Sequence, residues 1–218
     1  MERGNGKTRV SGFTVSIDGF GAGPHQDLAH PMGRGSAALH AWLKHTRVFH
    51  AMTGQAGGSD GVDQRFAQAS MAGVGAWVMG RNMFGPVRGD WPDFAWQGWW
   101  GDEPPYRCPV FVLTHYPRPP LEMKGGTVFH FVTDGPDAAL AQARVAAGGR
   151  DVRIGGGVAT VRHYLTTGAI DALHLAISPV LLGAGEALLT GIDLPALGYR
   201  VGAAEPGEHA MHVTITRD

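Results

Sequence analysis

One segment, Val152-Arg153-Ile154-Gly155-Gly156-Gly157-Val158-Ala159-Thr160-Val161, limits the possible folds of this chain more than any other. Apolar residues alternate at 152 and 154, and Val158, Val161 and Leu165 then fall at helical spacing. A strand that turns through three glycines into a helix is one βα unit, and such units build a parallel sheet covered by helices. Glycines also let a ligand lie against the backbone, and the helix that follows offers unpaired N–H groups and a positive dipole end to an anion. A pyrophosphate suits such a turn. A tight bend without a ligand suits it too, although two glycines would serve for that. The dinucleotide fingerprint of doubly wound folds is absent. Thr160 stands where its third glycine or alanine belongs, and the next strand, Leu173 to Ser178, ends without an acid for a ribose.

The remaining pattern extends the same theme. Val10 to Ile17 alternates apolar and small polar residues, a strand that ends at the turn Asp18-Gly19. Ser36 caps a predicted helix with Leu39, Trp42, Leu43, Thr46 and Phe49 on one face. A second helix turns Val62, Phe66 and Ala69 inward behind Asp60 as a cap. Gly75 to Met79, Pro109 to His115 and Thr127 to Asp134 read as strands, and Pro136 opens a helix that stops at Gly148-Gly149. Ala172 to Pro179 is a further strand. Tyr199 to Gly202 and Met211 to Thr216 form a closing antiparallel pair. The expected fold is α/β: three layers, a mostly parallel central sheet with helices on both faces, and an antiparallel C-terminal edge. No linker or repeat divides the chain, so residues 1–218 are expected to form one domain, with 1–9 as a flexible N-terminus.

Composition narrows the function. The 18 basic and 19 acidic residues are interspersed, which leaves no basic face for a nucleic acid. Cys108 is the single cysteine, so an intrachain disulfide and cysteine-based metal sites are excluded, in keeping with a reducing cytoplasm. Met1 to Lys7 has no apolar run behind it, so no secretory leader is expected, and no apolar run is long enough for a bilayer. A cytoplasmic protein without membrane partners is expected. The 11 histidines do not suggest a metal site. His40, His45 and His50 would point about 140° apart along a helix, and His209 and His212 would point to opposite faces of a strand. Trp91, Trp96, Trp99 and Trp100 crowd a long connection between Gly80 and Tyr106. Such rings either stack on a flat heterocycle or pack an interface.

Five motifs in order carry a resemblance. They are Ser16-Ile17-Asp18-Gly19-Phe20, Met79-Gly80-Arg81-Asn82-Met83-Phe84-Gly85, Val112-Leu113-Thr114, Ile154-Gly155-Gly156-Gly157, and Leu175 to Gly183. Together they resemble the dihydrofolate reductase-like superfamily, most closely the reductase domain of the riboflavin-pathway deaminase–reductase and its single-domain relatives. The resemblance implies NADPH along the carboxyl ends of the strands. Gly155, Gly156 and Gly157 with Val158, Ala159 and Thr160 would cradle the pyrophosphate. Gly80, Arg81 and Asn82 would lie near the adenosine phosphates, with Thr114 and His115 beside the 2′-phosphate. Gly19 would border the nicotinamide, and Asp18 is the candidate on the catalytic side, although an Asp-Gly turn accounts for it equally.

The chain departs from folate reductases, which resemblance endows with a carboxylate on the first helix. Ser36 to His50 holds no Asp or Glu, so classical folate reduction is not expected. Asp60 and Asp63 are the nearest acids and either could substitute, although a helix cap accounts for Asp60 equally; Asp63, Trp91 and Trp99 are the substrate-contact candidates. Zinc ligands for a fused deaminase are absent. The expected activity is hydride transfer from NADPH to a small planar heterocycle such as a pterin, pyrimidine or flavin-related ring, in a homodimer. The alternatives are an NADP(H)-binding protein without turnover and a flavin-binding reductase.

Overall fold

The computed structural model describes residues 6–85 and 88–217. Residues 1–5 of the expected N-terminal arm, and Pro86 and Val87 of the Trp-rich connection, lie outside the described residues. The chain divides into two compact units, each assembled from two stretches of sequence.

The unit built from the first nine residues and Gly73–Tyr164 holds strands β3 (Val74–Gly80), β4 (Pro109–Leu113), β6 (Val128–Val132) and β7 (Asp151–Gly156). Their order is β7-β3-β4-β6, all parallel, and the short β5 (Leu121–Glu122) pairs antiparallel with β6. β3 is buried on both faces from Gly75 to Met79, as an interior parallel strand must be. Helix α5 (Pro136–Ala147) turns Ala139, Leu140, Ala143 and Ala147 inward. It ends at Gly148 in the left-handed region, φ 60°, which glycine adopts without penalty. The short α4 (Arg81–Phe84) follows β3, and α6 (Val158–Thr166) follows β7.

The other unit comprises Val10–Ala72 and Leu165–Asp218. Strand β1 (Thr8–Ser16) begins two residues earlier than the sequence pattern suggests. β8 (Ala172–Ser178) pairs antiparallel with β11 (Met211–Arg217), and β11 with β10 (Tyr199–Pro206). A small antiparallel pair, β2 (Phe20–Ala22) with β9 (Glu186–Ala187), was not predicted. The core here gathers Trp42, Ala67, Ala176 and Ala210.

Two helical expectations need correction. The helix predicted from Ser36 is three pieces: a 3-10 turn at Ser36–Ala38, α1 (Ala41–Lys44) and α2 (Arg47–Met52). Thr46 makes the break. Its backbone is extended (φ −79°, ψ 153°), its Oγ1 accepts the N–H of Phe49, and its hydroxyl donates to Leu43 O at 2.7 Å. Thr46 thus caps a new helix instead of continuing the old one. In α3 (Val62–Met71) the buried residues are Asp63, Gln64, Ala67 and Ser70, while Ala69 is exposed. Its inward face is largely polar, which a hydrophobic period cannot reveal. The α/β class, with a mostly parallel sheet and antiparallel strands at its edge, is as expected.

Candidate functional site

Because β7, β3 and β4 are adjacent and parallel, their carboxyl ends share one edge. Met79 pairs with Gly156 and Gly80 with Leu113. In open α/β sheets, ligands bind in the crevice outside these strand ends. Three predicted groups therefore meet: Gly80-Arg81-Asn82, Thr114-His115, and the turn Gly155 to Thr160. The turn is shaped by close approach. A side chain on Gly80 would put its Cβ 2.6 Å from Thr160 Oγ1, and one on Gly155 would press Trp77 and Met83 at 3.1–3.2 Å. Gly157, by contrast, has open space where a Cβ would stand. Gly156 has φ +129°, and the peptide joining it to Gly157 is cis. The first bond of α6 is Val161 N–H to Gly157 O at 3.1 Å, so the amides of Val158, Ala159 and Thr160 precede the helical ladder and face the turn.

Arg81 stands at the next strand end. Its guanidinium lies 3.6 Å from the Trp91 ring centre, and Nη1 is 3.5 Å from Thr114 Oγ1. Its Nε and Nη2 are buried with no hydrogen-bond partner among the described residues. These two atoms form the edge that grips an oxyanion in a forked geometry. Burial holds the Arg81 pKa below the usual arginine value. Thr114 is fixed by its own turn, its Oγ1 accepting Tyr116 N–H at 3.1 Å and its hydroxyl 3.2 Å from Tyr116 O. His115 is exposed and Asn82 half-buried.

The tryptophans of the connection pack on their own unit. Trp91 Nε1 donates to Tyr116 O (3.0 Å) and Trp96 Nε1 to Phe84 O (2.9 Å), while Trp99 meets Trp96 edge-on. Trp99 lines a small cavity with Trp100, Tyr106, Met79, Met83 and Phe84, far below the ~300–1,000 Å³ usual for ligand pockets. Burial pushes the Tyr106 phenol up to about 12.

The remaining candidates sit in the other unit. Asp18 is exposed, and its carboxylate accepts N–H groups from Leu182 (3.2 Å) and Gly183 (2.7 Å). A hydrogen bond with Ser16 and the Gly183 amide hold its pKa below the ordinary carboxylate value. Gly19, at φ +86°, closes the turn onto Ser16 O. Asp63 faces inward, with no exposed surface. Oδ1 lies 2.7 Å from His212 Nε2, while Oδ2 accepts the His209 N–H and touches His209 Nδ1. His209 and His212 thus converge on one carboxylate, contrary to the opposite faces expected of them. His209 precedes β11 in the turn and escapes its alternation. The expected cap Asp60 pairs instead with Arg47, and Glu208 accepts the N–H groups of Val62 and Asp63 at the start of α3.

The line continues inward. Gly12 N–H donates to His174 Nδ1 (3.0 Å), and His174 Nε2 lies 3.0 Å from His212 Nδ1. Since Nδ1 of His174 accepts, its proton is on Nε2. That proton is given to His212 Nδ1, and His212 Nε2–H is given to Asp63. One backbone amide orders every proton in the chain. Phe66 stacks on both imidazoles at 4.3 Å. The signal missed in the sequence was a histidine inside each of two apolar runs, Leu173-His174-Leu175 and His212-Val213.

An α/β sheet whose parallel strand ends converge on a glycine turn, a helix start and an unpaired arginine fork defines the class. Residues 9–206 match the RibD C-terminal domain, and the chain belongs to that family, the one its motifs resemble. Among solved structures, a putative riboflavin biosynthesis protein from Shewanella sp. PV-4 is similar at 23% identity and TM-score 0.59, over 97% of this chain and 99% of that one. A diaminohydroxyphosphoribosylaminopyrimidine deaminase/5-amino-6-(5-phosphoribosylamino)uracil reductase from Thermotoga maritima is similar at 13% identity and TM-score 0.54. That match covers 97% of this chain and 57% of the longer protein. Both are likenesses of fold. A search of curated proteins finds no match. Among the described residues, no helix is long and apolar enough to cross a membrane.

Proposed function

We propose that the chain is a reductase that takes NADPH and reduces a small planar heterocycle of the pterin, pyrimidine or flavin-related kind. Membership of the RibD C-terminal domain family supports a reductase. The observation that carries the cofactor reading is the buried, unpartnered Nε/Nη2 edge of Arg81, on the same sheet edge as the open backbone of Gly157. Unmet buried donors are costly, and a phosphate oxygen would satisfy them. The residues present therefore fit the cofactor. Gly155 to Gly157 and the amides of Val158, Ala159 and Thr160 would hold a pyrophosphate. Gly80 and Asn82 would border the adenosine phosphates, and Arg81, Thr114 and His115 the 2′-phosphate. When bound, the nicotinamide supplies hydride, and the protein contributes orientation and exclusion of water. Asp18 stays ionised near neutrality and fixes the 182–183 backbone, so the proton for the reduced ring comes from water. Asp63 is committed to its histidines and has no substrate contact in this reading, whereas Trp99 and its cavity remain candidates for one.

The test is turnover. Purified protein with NADPH and a panel of pterins, pyrimidines and flavins is expected to oxidise the cofactor with at least one ring. Stoichiometric NADPH binding without oxidation across the panel would instead mark a binding protein, and a yellow protein as purified would mark a bound flavin. The partner in this proposal is a second copy of the chain, and a dimer is expected in sedimentation at tens of micromolar. A monomer there contradicts it.

A further inference from the structure

Strand β1 is interrupted from within. Gly12 lies inside it at φ +67°, in the left-handed region that breaks a regular strand. The burial pattern changes across it. Thr8 and Val10 are buried with Arg9 half-buried between them, whereas Thr14, Val15 and Ser16 are buried in succession. The Gly12 N–H is given to His174 Nδ1 at 3.0 Å, on the neighbouring strand β8. An imidazole nitrogen accepts only while it carries no proton. His212 and Asp63 keep Nδ1 bare, because the line His174 Nε2, His212 Nδ1, His212 Nε2, Asp63 Oδ1 draws each ring proton to the far side. Three buried polar side chains thus serve one backbone amide.

The rest of β1 is tied to the same group. Thr14 Oγ1 accepts Trp42 Nε1–H at 2.8 Å, and the Trp42 ring meets His212 edge-on at 5.2 Å. Two residues on, Ser16 Oγ accepts the Phe20 N–H, and Ile17 gives its N–H to Val180 O just beyond the end of β8. We infer that His174 is a positioning residue: by holding the break at Gly12 it sets β1 against β8 and fixes where the Ser16–Gly19 turn stands. The inference rests on the reading above, in which Gly19 borders the nicotinamide. The residues proposed for the cofactor's phosphates belong to the other unit. His174 therefore acts on hydride transfer and not on NADPH affinity.

The experiment compares His174→Phe, which keeps a ring against Phe66 but has no acceptor, with His174→Gln, whose amide supplies both an acceptor and a donor. Hydrogen exchange of the Leu182 and Gly183 amides, which Asp18 holds, reports the turn without any turnover. Their protection is expected to fall in the phenylalanine variant and to return in the glutamine variant. With a ring that the wild-type protein reduces, His174→Phe is expected to lower kcat by roughly ten- to hundredfold, His174→Gln to restore most of it, and the calorimetric Kd for NADPH to stay unchanged in both. Protection and kcat unchanged in the phenylalanine variant, equal losses in the two variants, or NADPH affinity falling along with kcat would each reduce His174 to core packing and overturn the inference. Should the phenylalanine variant fail to fold, nitrogen NMR of the wild-type imidazole and exchange in the glutamine variant decide. A bare Nδ1 on His174 with protection kept is expected, and a proton on Nδ1 or lost protection overturns the inference. Wild-type protein that reduces no ring overturns the reductase reading instead, and the exchange measurement still decides the role of His174.

Discussion

At Gly156 the backbone is held at φ +129°, a region that residues with a side chain rarely adopt. Alanine and valine there are expected to lose similar stability, roughly 1–3 kcal/mol, because both share the strain. They should differ in binding. If a phosphate lies against this turn, Gly156→Val places a branched side chain where an oxygen sits and abolishes NADPH quenching of tryptophan fluorescence, whereas Gly156→Ala retains part of it. Equal binding by the two would move the pyrophosphate elsewhere. His40 gives a second test. Burial, with Lys44 adding to it, takes its imidazole down to about 4, against ~6.5 in an unfolded chain. The folded protein keeps His40 neutral while the unfolded chain takes up a proton, so stability is full above pH ~6.5 and falls as pH drops towards 4, by on the order of 3 kcal/mol. Urea midpoints of His40→Leu should lack this share of the slope, and an unchanged slope would contradict it. At this scale Arg81 and the glycines were legible because a strand end is a local pattern. Asp63 was not. An acid in the first turn of a helix reads as solvent-facing, and its partners stand 146 and 149 residues away.

Helix α3 is held by polar contacts from residues far along the chain. Its buried acid is tied to β11 and through His174 to the Gly12 amide, and its first amides are capped by Glu208. His212→Phe would keep the ring beside Phe66 and Trp42 but take from the buried Asp63 Oδ1 its imidazole partner. Breaking a buried pair from one side costs about 3–5 kcal/mol, and urea unfolding should show it. A loss within ~0.5 kcal/mol, as for a surface change, would mean that Asp63 and His212 are not paired as described. The elements of the βα repeat were read correctly because Pro136, Gly148 and Gly168 start and stop helices by local rules. The helix from Ser36 was misread because Thr46 can continue a helix or cap one. Its contacts with Leu43 and Phe49 decide between them only once the chain is folded.

For the whole molecule, family, class and order of elements followed from motifs spread between Val10 and Leu189. The grouping into two units, each drawn from separated stretches, depends on pairings between distant strands that no window of sequence contains. The central claim is that the strand ends beside Arg81 hold a phosphorylated dinucleotide, and its most direct test is a calorimetric titration of wild-type and Arg81→Ala protein with NADPH and NADH. The account predicts saturable binding of NADPH, tighter than NADH. It also predicts that Arg81→Ala loses a charged hydrogen bond of about 1.5–3 kcal/mol, roughly ten- to hundredfold in affinity, for NADPH alone. Equal affinity of the wild-type protein for the two cofactors, or an equal loss for both in the variant, would contradict it.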